Sequence, residues 1–270
     1  MSVNSGMLGA HMPITTPVGP AIEFRDVAYH VAGTEVVDRL NLEVQHGETL
    51  VLLGRSGSGK TTTLKLVNRL LLPTAGEVRV NGVPTGACDV IRLRRSIGYV
   101  IQDVGLFPHF TVERNIGLVP KIEGWPAERT RARVRELLQM VGLAAELAAR
   151  YPHQLSGGQR QRVGVARALA ADPEILLMDE PFGALDPLTR DELQREFLSL
   201  QQRLHKTVIF VTHDLREALL LGSRIALMEA GRLVTVLTPQ DFLRSNDRWA
   251  SAYVRAFADG LQLVADRGTS

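Results

Sequence analysis

The sequence predicts an α/β fold, with a mostly parallel sheet, an antiparallel start and a helical insertion near 103–160. A glycine-rich loop at 54–61 stands between a short apolar run at 49–53 and an amphipathic segment, in the order strand, loop, helix. From 175 to 221, apolar runs alternate with helical patterns, as they do in successive βα units. These observations indicate parallel strands joined by helices.

The chain before the glycine-rich loop supplies the antiparallel start. Short β-like runs at 22–29 and 36–44 carry the pattern of half-buried strands. Residues 1–20 are rich in Gly, Pro, Ser and Thr, and we expect a disordered tail or a cloning remnant there. We therefore expect one ordered domain over 21–240, followed by a C-terminal helical extension over 241–270.

Composition narrows the class of protein. The 270 residues are 45% hydrophobic and 22% charged, which is ordinary for a globular chain. The formal net charge of +2 gives no reason to expect a nucleic-acid partner. No uninterrupted apolar run approaches the ~20 residues of a membrane helix. The single cysteine, Cys88, excludes a disulfide within the chain.

The loop GRSGSGKT matches a nucleotide-phosphate loop, and its residue types explain the match. Glycines let the backbone wrap tightly, so that successive N–H groups form an anion-binding nest at the positive end of the following helix. Lys60 is placed to reach the β- and γ-phosphates, and the Thr61 hydroxyl to bind Mg²⁺. The predicted phosphate-binding residues are Gly54, Arg55, Ser56, Gly57, Ser58, Gly59, Lys60, Thr61 and Thr62.

An acidic pair follows the apolar run ILLM at 175–178. Asp179 ends that run, so it is expected at the carboxyl end of a central strand, where open α/β sheets bind ligands. Beside a phosphate loop, Asp179 is the expected Mg²⁺ partner. Glu180 is then placed to act as general base toward the attacking water.

A second anion-binding helix start is predicted at 155–159, LSGGQ. Ser156, followed three residues later by Gln159, predicts a capping box. Gly157 and Gly158 leave the first N–H groups of that helix open to an anion. Since a single nucleotide cannot easily use both anion sites of one chain, the sequence implies a pair of chains.

The order of these motifs resembles that of the ATP-binding cassette (ABC) ATPases. The resemblance rests on GRSGSGKT, Gln102, LSGGQ, ILLMDE, GALD at 183–186 and His213, and it extends over about 22–240. It implies a P-loop NTPase fold with a RecA-like, mostly parallel sheet, an antiparallel β subdomain and an α-helical subdomain at about 103–160. It also implies a head-to-tail homodimer that holds two ATP molecules with Mg²⁺. Each ATP lies between the phosphate loop of one subunit and the LSGGQ helix of the other.

The resemblance also assigns roles to single residues. Gln102 binds and senses Mg²⁺, and it senses the attacking water and the membrane partner, whereas His213 contacts the γ-phosphate. Asp186 joins the two nucleotide sites across the dimer interface. The family usually places an aromatic residue against adenine at the position that Val31 occupies here. Tyr29, two residues earlier on the same face of a strand, is the expected substitute.

A closer likeness lies in stretches that vary between such ATPases, at 60–70, 93–116, 150–170 and 204–214. They resemble the ATPase subunits of osmoprotectant importers, which move glycine betaine, carnitine, choline and similar quaternary amines. The resemblance implies an ATP-hydrolysing motor on the cytoplasmic face of the cell membrane, working with an integral membrane permease and a separate substrate-binding protein. Many members also carry a regulatory pair of nucleotide-binding modules, for which this chain, ending at Ser270, is expected to have no room.

Two alternatives remain open. The first is an importer ATPase of the same family that serves another solute, such as an amino acid or a polyamine. The second is a soluble ABC ATPase acting on DNA or ribosomes. Translation-type members carry two cassettes in one chain, and DNA-repair members insert a long coiled coil or zinc modules. Neither feature occurs in this sequence, which disfavours the second alternative.

The loop-rich stretch 103–120 carries a mixed apolar and aromatic group, Leu106, Phe107, His109 and Phe110. This mixture indicates either a contact surface or aromatic residues that fill a local core. In the first interpretation, the loop following Gln102 transmits the motion of the ATPase to the membrane subunit.

Overall fold

The computed structural model describes residues 19–102 and 104–267, with side chains described as far as residue 258. The expected tail at 1–20 lies outside the described residues except for its last two.

The secondary structure of the described chain has the following bounds. The strands are β1 (Ile22–Val31), β2 (Thr34–Val44), β3 (Thr49–Leu53), β4 (Ala75–Val80), β5 (Val83–Pro84), β6 (Ile97–Val100), β7 (Ile175–Asp179), β8 (Thr207–Thr212), β9 (Arg224–Glu229) and β10 (Arg232–Leu237). The helices are α1 (Lys60–Val67), α2 (Val90–Ser96), α3 (Val112–Ile116), α4 (Leu118–Ile122), α5 (Ala127–Met140), α6 (Gly157–Leu169), α7 (Pro187–Leu204), α8 (Leu215–Leu221), α9 (Pro239–Leu243) and α10 (Arg248–Arg267).

These strands form two sheets. An antiparallel sheet has the order β2, β1, β4, β5. The second sheet has the order β10, β9, β3, β8, β7, β6; β10 pairs antiparallel with β9, and the other pairs are parallel. The predicted fold class, α/β with a mostly parallel sheet and an antiparallel start, is confirmed.

The central strands β3, β7 and β8 are buried along their whole length, as parallel strands covered on both faces should be. Side chains of β8 alternate between two cores. Val208 and Phe210 join a core with α5, α6, α7 and α8, whereas Ile209 and Val211 join a core with the antiparallel sheet and α1. Full burial of a side chain such as Phe210 contributes about 2 kcal/mol, so packing on both faces holds the sheet edge that carries the site.

The stretch 103–120 contains more helix than the sequence predicts. Helices α3 and α4 occupy its second half. The Thr111 hydroxyl caps α3 by accepting a hydrogen bond from the Arg114 N–H at 3.3 Å. Pro120 lies in the first turn of α4, where its missing N–H is not needed and helix formation is therefore permitted.

Helix α9 and the first part of α10 pack back onto the main sheet. Phe242 of α9 and Ala250 of α10 are both fully buried in the core under the helices. None of the helices in the described ranges combines the length and the apolar character that a membrane crossing requires.

Candidate active site

A pocket of about 720 Å³ opens at the carboxyl ends of β3, β7 and β8, a size suited to a small organic ligand. The loop after β3 forms its floor, and residues that follow β6, β7 and β8 surround that loop. Its lining residues are Val36, Arg55, Ser56, Gly57, Ser58, Gly59, Lys60, Thr61, Thr62, Gln102, Glu180, His213, Trp249, Ala252, Tyr253 and Ala256. The predicted phosphate loop thus lies in the same pocket as the three predicted catalytic side chains.

The Lys60 ammonium is buried in this floor. Its Nζ donates to the carbonyl oxygens of Gly54 and Arg55, both at 2.7 Å. Burial lowers the pKa of Lys60, while the nearby carboxylates of Glu180 and Asp179 oppose that shift. A cation held by neutral carbonyl groups is suited to an added anion, and phosphate oxygens of a nucleotide would supply one.

Two glycines of the loop leave no room for a side chain. A Cβ atom at Gly54 would overlap the Met228 carbonyl oxygen, and one at Gly59 would lie 2.6 Å from the Val36 carbonyl oxygen. Gly59 also has a φ of 95°, in the left-handed region that favours glycine. The close backbone packing therefore requires glycine at both positions and leaves the cradle to a ligand.

Thr61 and Asp179 meet beside this cradle. The Thr61 hydroxyl donates to Asp179 Oδ1 at 2.9 Å. Burial raises the pKa of Asp179, the hydrogen bond from Thr61 lowers it, and the neighbouring Glu180 carboxylate raises it further. A hydroxyl and a carboxylate are hard oxygen donors, which fit Mg²⁺ when substrate phosphates complete its shell.

Glu180, His213 and Gln102 form a cluster above the phosphate loop. Glu180 Oε2 lies 3.3 Å from His213 Nδ1 and accepts a hydrogen bond from Gln102 Nε2 at 3.5 Å. The backbone of Glu180 has a φ of 43°, uncommon for a residue with a side chain, and its N–H donates to the Val211 carbonyl at 3.0 Å. That local strain, held by β8, aims the carboxylate into the pocket.

The LSGGQ segment lies outside this pocket. The predicted capping box at α6 is confirmed: the Gln159 N–H donates to Ser156 Oγ at 3.2 Å, and the Ser156 N–H donates to Gln159 Oε1 at 3.0 Å. Ser156 and Gly157 are exposed. A Cβ atom at Gly158 would lie 2.6 Å from Thr189 Cγ2, so α6 begins in close contact with α7. The start of this helix is therefore open to solvent at Ser156 and Gly157 and closed at Gly158.

Asp186 also lies away from the pocket lining. Its carboxylate caps α7 by accepting a hydrogen bond from the Thr189 N–H at 3.1 Å. Hydrogen bonds to Thr189 and to the backbone of the first helical turn lower the pKa of Asp186. The α6 start and Asp186 therefore share Thr189 as a neighbour, on a surface separate from their own chain's phosphate loop.

The structure does not place Tyr29 or Val31 in the pocket. Tyr29 pairs with Val37 across the antiparallel sheet and packs, half-buried, against the core beneath it. Val31 is 50% exposed. Register irregularities in β1 on both sides of Tyr29 set its direction, and Val36 of β2 lines the pocket in their place. The expectation that Tyr29 substitutes at the adenine position gains no support from this geometry.

Two aromatic side chains of the pocket were missed at the level of sequence. Trp249 and Tyr253 lie on α10, and the small Ala252 and Ala256 lie on the same face of that helix. The spacing i, i+3, i+4, i+7 is a helical stripe and was readable from the sequence. The sequence gives no local sign that this stripe lines the same pocket as the phosphate loop.

Asn115 organises the aromatic loop that follows Gln102. Its side chain is fully buried; it accepts the Phe107 N–H at 2.8 Å and donates to the Phe107, Phe110 and Thr111 carbonyls. Phe107 is held 41% exposed, whereas Leu106 packs against the core. Leu106 thus fits the interpretation as a local core, whereas the interpretation as a contact surface stays a prediction. The sequence sign of this role is an Asn between apolar residues of a short helix, because a buried amide must find hydrogen-bond partners nearby.

Arg167 ties the loop after Gln102 to helix α6. Its guanidinium donates to the carbonyls of Gly105 at 2.7 Å and Val104 at 2.6 Å. A Cβ atom at Gly164 would lie 2.6 Å from Val104 Cγ1, so helix and loop touch directly. The loop after Gln102 is therefore in direct contact with the helix that Ser156 caps.

The spacing of Asp214 and Glu217 predicts a second capping box, and that prediction is wrong. Asp214 caps α8 through the Arg216 N–H, but Glu217 is buried instead. Its carboxylate accepts the Thr212 hydroxyl at 2.5 Å and Gln194 Nε2 at 2.9 Å. Glu217 therefore joins α8 to α7 and to the end of β8, directly before His213.

Glu217→Gln is expected to make stability less dependent on pH. Burial raises the pKa of Glu217, with the Thr212 hydrogen bond opposing and the Asp214 charge adding. The stability that protonated Glu217 contributes is fully present below its unfolded pKa and is lost as pH rises through the raised folded pKa. As pH rises through this window, the free energy of urea unfolding should therefore fall for the wild type and change less for Glu217→Gln. Glu192→Gln, an exposed change on α7, is the control. A pH-independent difference in unfolding free energy contradicts the assignment.

Comparison with known proteins identifies related chains. The family model described as ABC transporter matches residues 37–183. The choline transport ATP-binding protein OpuBA of Bacillus subtilis is 54% identical over 232 residues, which cover 86% of this chain and 60% of that protein. The glycine betaine uptake system ATP-binding protein YehX of Escherichia coli is 49% identical over 236 residues, covering 87% of this chain and 76% of that protein.

A solved structure shows the same fold. The dimeric post-hydrolysis state of the ATP-binding cassette MJ0796, bound to ADP and Pi, superposes with a TM-score of 0.73 at 34% identity. The match covers 81% of this chain and 98% of that one. This chain spans about 55–61% of the length of the first three curated relatives that it matches.

Proposed function

Since this chain belongs to the ABC transporter family and has its ATPase fold, we propose that it is the ATP-hydrolysing motor subunit of a membrane importer for osmoprotectant quaternary amines. The observation that carries the proposal is the convergence of Gln102, Glu180 and His213 on the Lys60 phosphate loop in one pocket. A nucleotide-binding module without hydrolytic function has no need of that cluster.

ATP is the proposed substrate of the pocket. Backbone N–H groups of the loop and the Lys60 ammonium hold its phosphates, since the glycine cradle and the buried cation both suit an anion. Thr61, Asp179 and Gln102 are the residues that would hold Mg²⁺. A bound Mg²⁺ supplies charge neutralisation at the phosphates.

Hydrolysis needs a base, and Glu180 is the proposed one. Its carboxylate takes the proton of the attacking water, while Gln102 and His213 restrain it from two sides. His213 is also the proposed contact of the γ-phosphate, on the support that it follows β8 directly and lines the same pocket as the phosphate loop.

A second copy of the chain completes the proposed site. Ser156, Gly157, Gly158 and Gln159 lie outside the pocket of their own chain, with the first two exposed. In a head-to-tail homodimer, this helix start covers the phosphates held by the partner, and Asp186 lies between the two sites. ATP then favours the closed dimer, because it binds that state more tightly than the open one. A shift from mostly open to mostly closed needs a difference in binding free energy of about 5.5 kcal/mol.

The proposed solute is a quaternary amine, on the support of relatives described as choline transport and glycine betaine uptake proteins. A separate substrate-binding protein captures the solute, with an aromatic cage suited to a quaternary ammonium ion. An amino acid or a polyamine is the alternative cargo.

An integral membrane permease is the proposed partner at the helical face, which places this chain at the cytoplasmic side of the membrane. Beside the aromatic loop lies a groove of about 560 Å³ between α3, α4 and α5. Phe110 lines it, with the Arg114 guanidinium 4.3 Å from its ring centroid. Asn115 fixes this loop and Arg167 links it to α6, so a permease seated here is coupled to the proposed dimer interface.

The test is ATP turnover in proteoliposomes that contain this chain, its permease and the substrate-binding protein. Glycine betaine, choline or carnitine should stimulate turnover, and arginine or spermidine should not. Phe107→Ala should lose the stimulation and keep basal turnover, whereas the exposed control Leu243→Ala should keep both. Stimulation by DNA or ribosomes in the absence of any permease overturns the transport proposal.

A further inference from the structure

Helix α10 forms one wall of the nucleotide pocket from within the same chain. Trp249, Ala252, Tyr253 and Ala256 face the pocket, with the two aromatic residues separated by one helical turn. The two alanines leave space beside the rings. A flat ligand group entering from the phosphate loop therefore meets an aromatic wall.

This wall is anchored rather than loosely placed. Asp247 fixes the start of α10 by accepting the N–H groups of Trp249 at 2.9 Å and Ala250 at 3.0 Å. Ala250 is fully buried, and the Phe257 ring lies 5.4 Å from the Arg216 guanidinium of α8. Trp249 and Tyr253 also pack against this core, so the side chains that line the pocket are held in place by it.

The Tyr253 hydroxyl is the unusual atom of this wall. Its oxygen is buried and has no hydrogen-bond partner among the described residues. Burial raises the pKa of Tyr253, the Glu229 carboxylate adds to that effect, and the Arg55 guanidinium of the phosphate loop opposes it. This oxygen is closed to solvent, so the partly exposed Tyr253 presents its ring and not its hydroxyl to the pocket.

Among the described residues that line the pocket, no Phe, Tyr or Trp other than Trp249 and Tyr253 offers a surface for a base. Val31, at the position where related ATPases were expected to carry an aromatic residue, is half-exposed, and Tyr29 packs into the core of the antiparallel sheet. Trp249 and Tyr253 are the aromatic residues among the described pocket lining. Aromatic side chains stack on nucleobases whatever the base identity, because every base has a π-face.

We infer that Trp249 and Tyr253 of α10 hold the base of the nucleotide by stacking, in the role that Val31 cannot fill. This inference rests on the proposed function, because it takes the ligand of the pocket to be ATP. Helix α10 is then part of the nucleotide site, and changes in its aromatic residues change nucleotide affinity.

The test uses the tryptophan fluorescence and the nucleotide affinity of the full chain. Glu180→Gln serves as background to prevent turnover, and Trp125→Phe leaves Trp249 as the single tryptophan of the chain. Mg-ATP should quench Trp249, and inorganic triphosphate should quench it less. The matched variant Trp249→Phe, which keeps Trp125, should show no nucleotide-dependent quenching, since Trp125 lies against Arg129 in the other groove.

Affinities measured by calorimetry complete the test. Trp249→Ala and Tyr253→Ala should each weaken Mg-ATP binding about tenfold and leave triphosphate binding unchanged. Tyr253→Phe, which keeps the ring, should bind Mg-ATP as tightly as the background protein. Unchanged or tighter Mg-ATP binding in both alanine variants overturns the inference, and tighter binding identifies α10 as an obstruction instead. Absence of ATP and triphosphate binding in the background protein contradicts the proposed function itself.

Discussion

Glu180→Gln is expected to lower ATP turnover by at least about 10²-fold and to leave ATP binding intact. The amide keeps the size of the side chain and its contact with Gln102, but it cannot take a proton from water. Unhydrolysed ATP should therefore accumulate in the site and hold the closed dimer. Single-turnover assays measure the first effect, and equilibrium nucleotide titration measures the second.

Glu136→Gln is the matched control for this variant. It makes the same chemical change at an exposed position on α5 and should turn over ATP at the wild-type rate. Persistent turnover in Glu180→Gln contradicts the base role of Glu180. Loss of ATP binding in the same variant points instead to a structural role for the contacts with His213 and Gln102.

Ser156→Arg is expected to lower turnover by about 10²-fold or more, with ATP binding to the single chain preserved. The Ser156 side chain caps α6 at an exposed helix start outside the pocket of its own chain. In the proposed head-to-tail dimer, the substitution therefore acts on the phosphates that the partner chain holds. Loss of the cap costs only about 1 kcal/mol, too little to unfold the protein. Ser199→Arg, exposed on α7, introduces the same side chain and should be neutral.

Mixing two inactive variants extends this expectation. Lys60→Met removes the cation of the phosphate loop, and Ser156→Arg disrupts the helix start. In a head-to-tail dimer of one variant with the other, one of the two sites has both parts intact, so the mixture should regain turnover. A mixture that stays inactive, although mixed dimers form, contradicts a site shared between chains.

The sequence predicts the sheet edge of the site well because its signals are local. Strands β3, β7 and β8 are each followed directly by a residue of the predicted site: Gly54, Glu180 and His213, respectively. A short run of apolar residues is typical of a parallel strand that is buried on both faces of its sheet. The capping box of Ser156 is equally local, since both partners lie within one helical turn.

The remaining features depend on contacts between distant parts of the chain. Pro120 reads as a helix breaker, yet the first turn of α4 accommodates it. Glu217 has the spacing of a cap, but burial against Gln194 determines its place. Tyr29 alternates toward the expected face only if β1 is regular, and its register irregularities remove that condition. Nothing in the sequence around Trp249 and Tyr253 indicates that they line the same pocket as the phosphate loop.

Sedimentation equilibrium of Glu180→Gln with Mg-ATP tests the shared site most directly. The protein should be monomeric without nucleotide and should form a dimer with ATP that contains two nucleotides. The double variant Glu180→Gln/Ser156→Arg should bind ATP and remain monomeric. A Glu180→Gln protein that stays monomeric with ATP bound, or a double variant that dimerises as readily as Glu180→Gln, contradicts the proposal that one chain's phosphate loop is completed by its partner's LSGGQ helix.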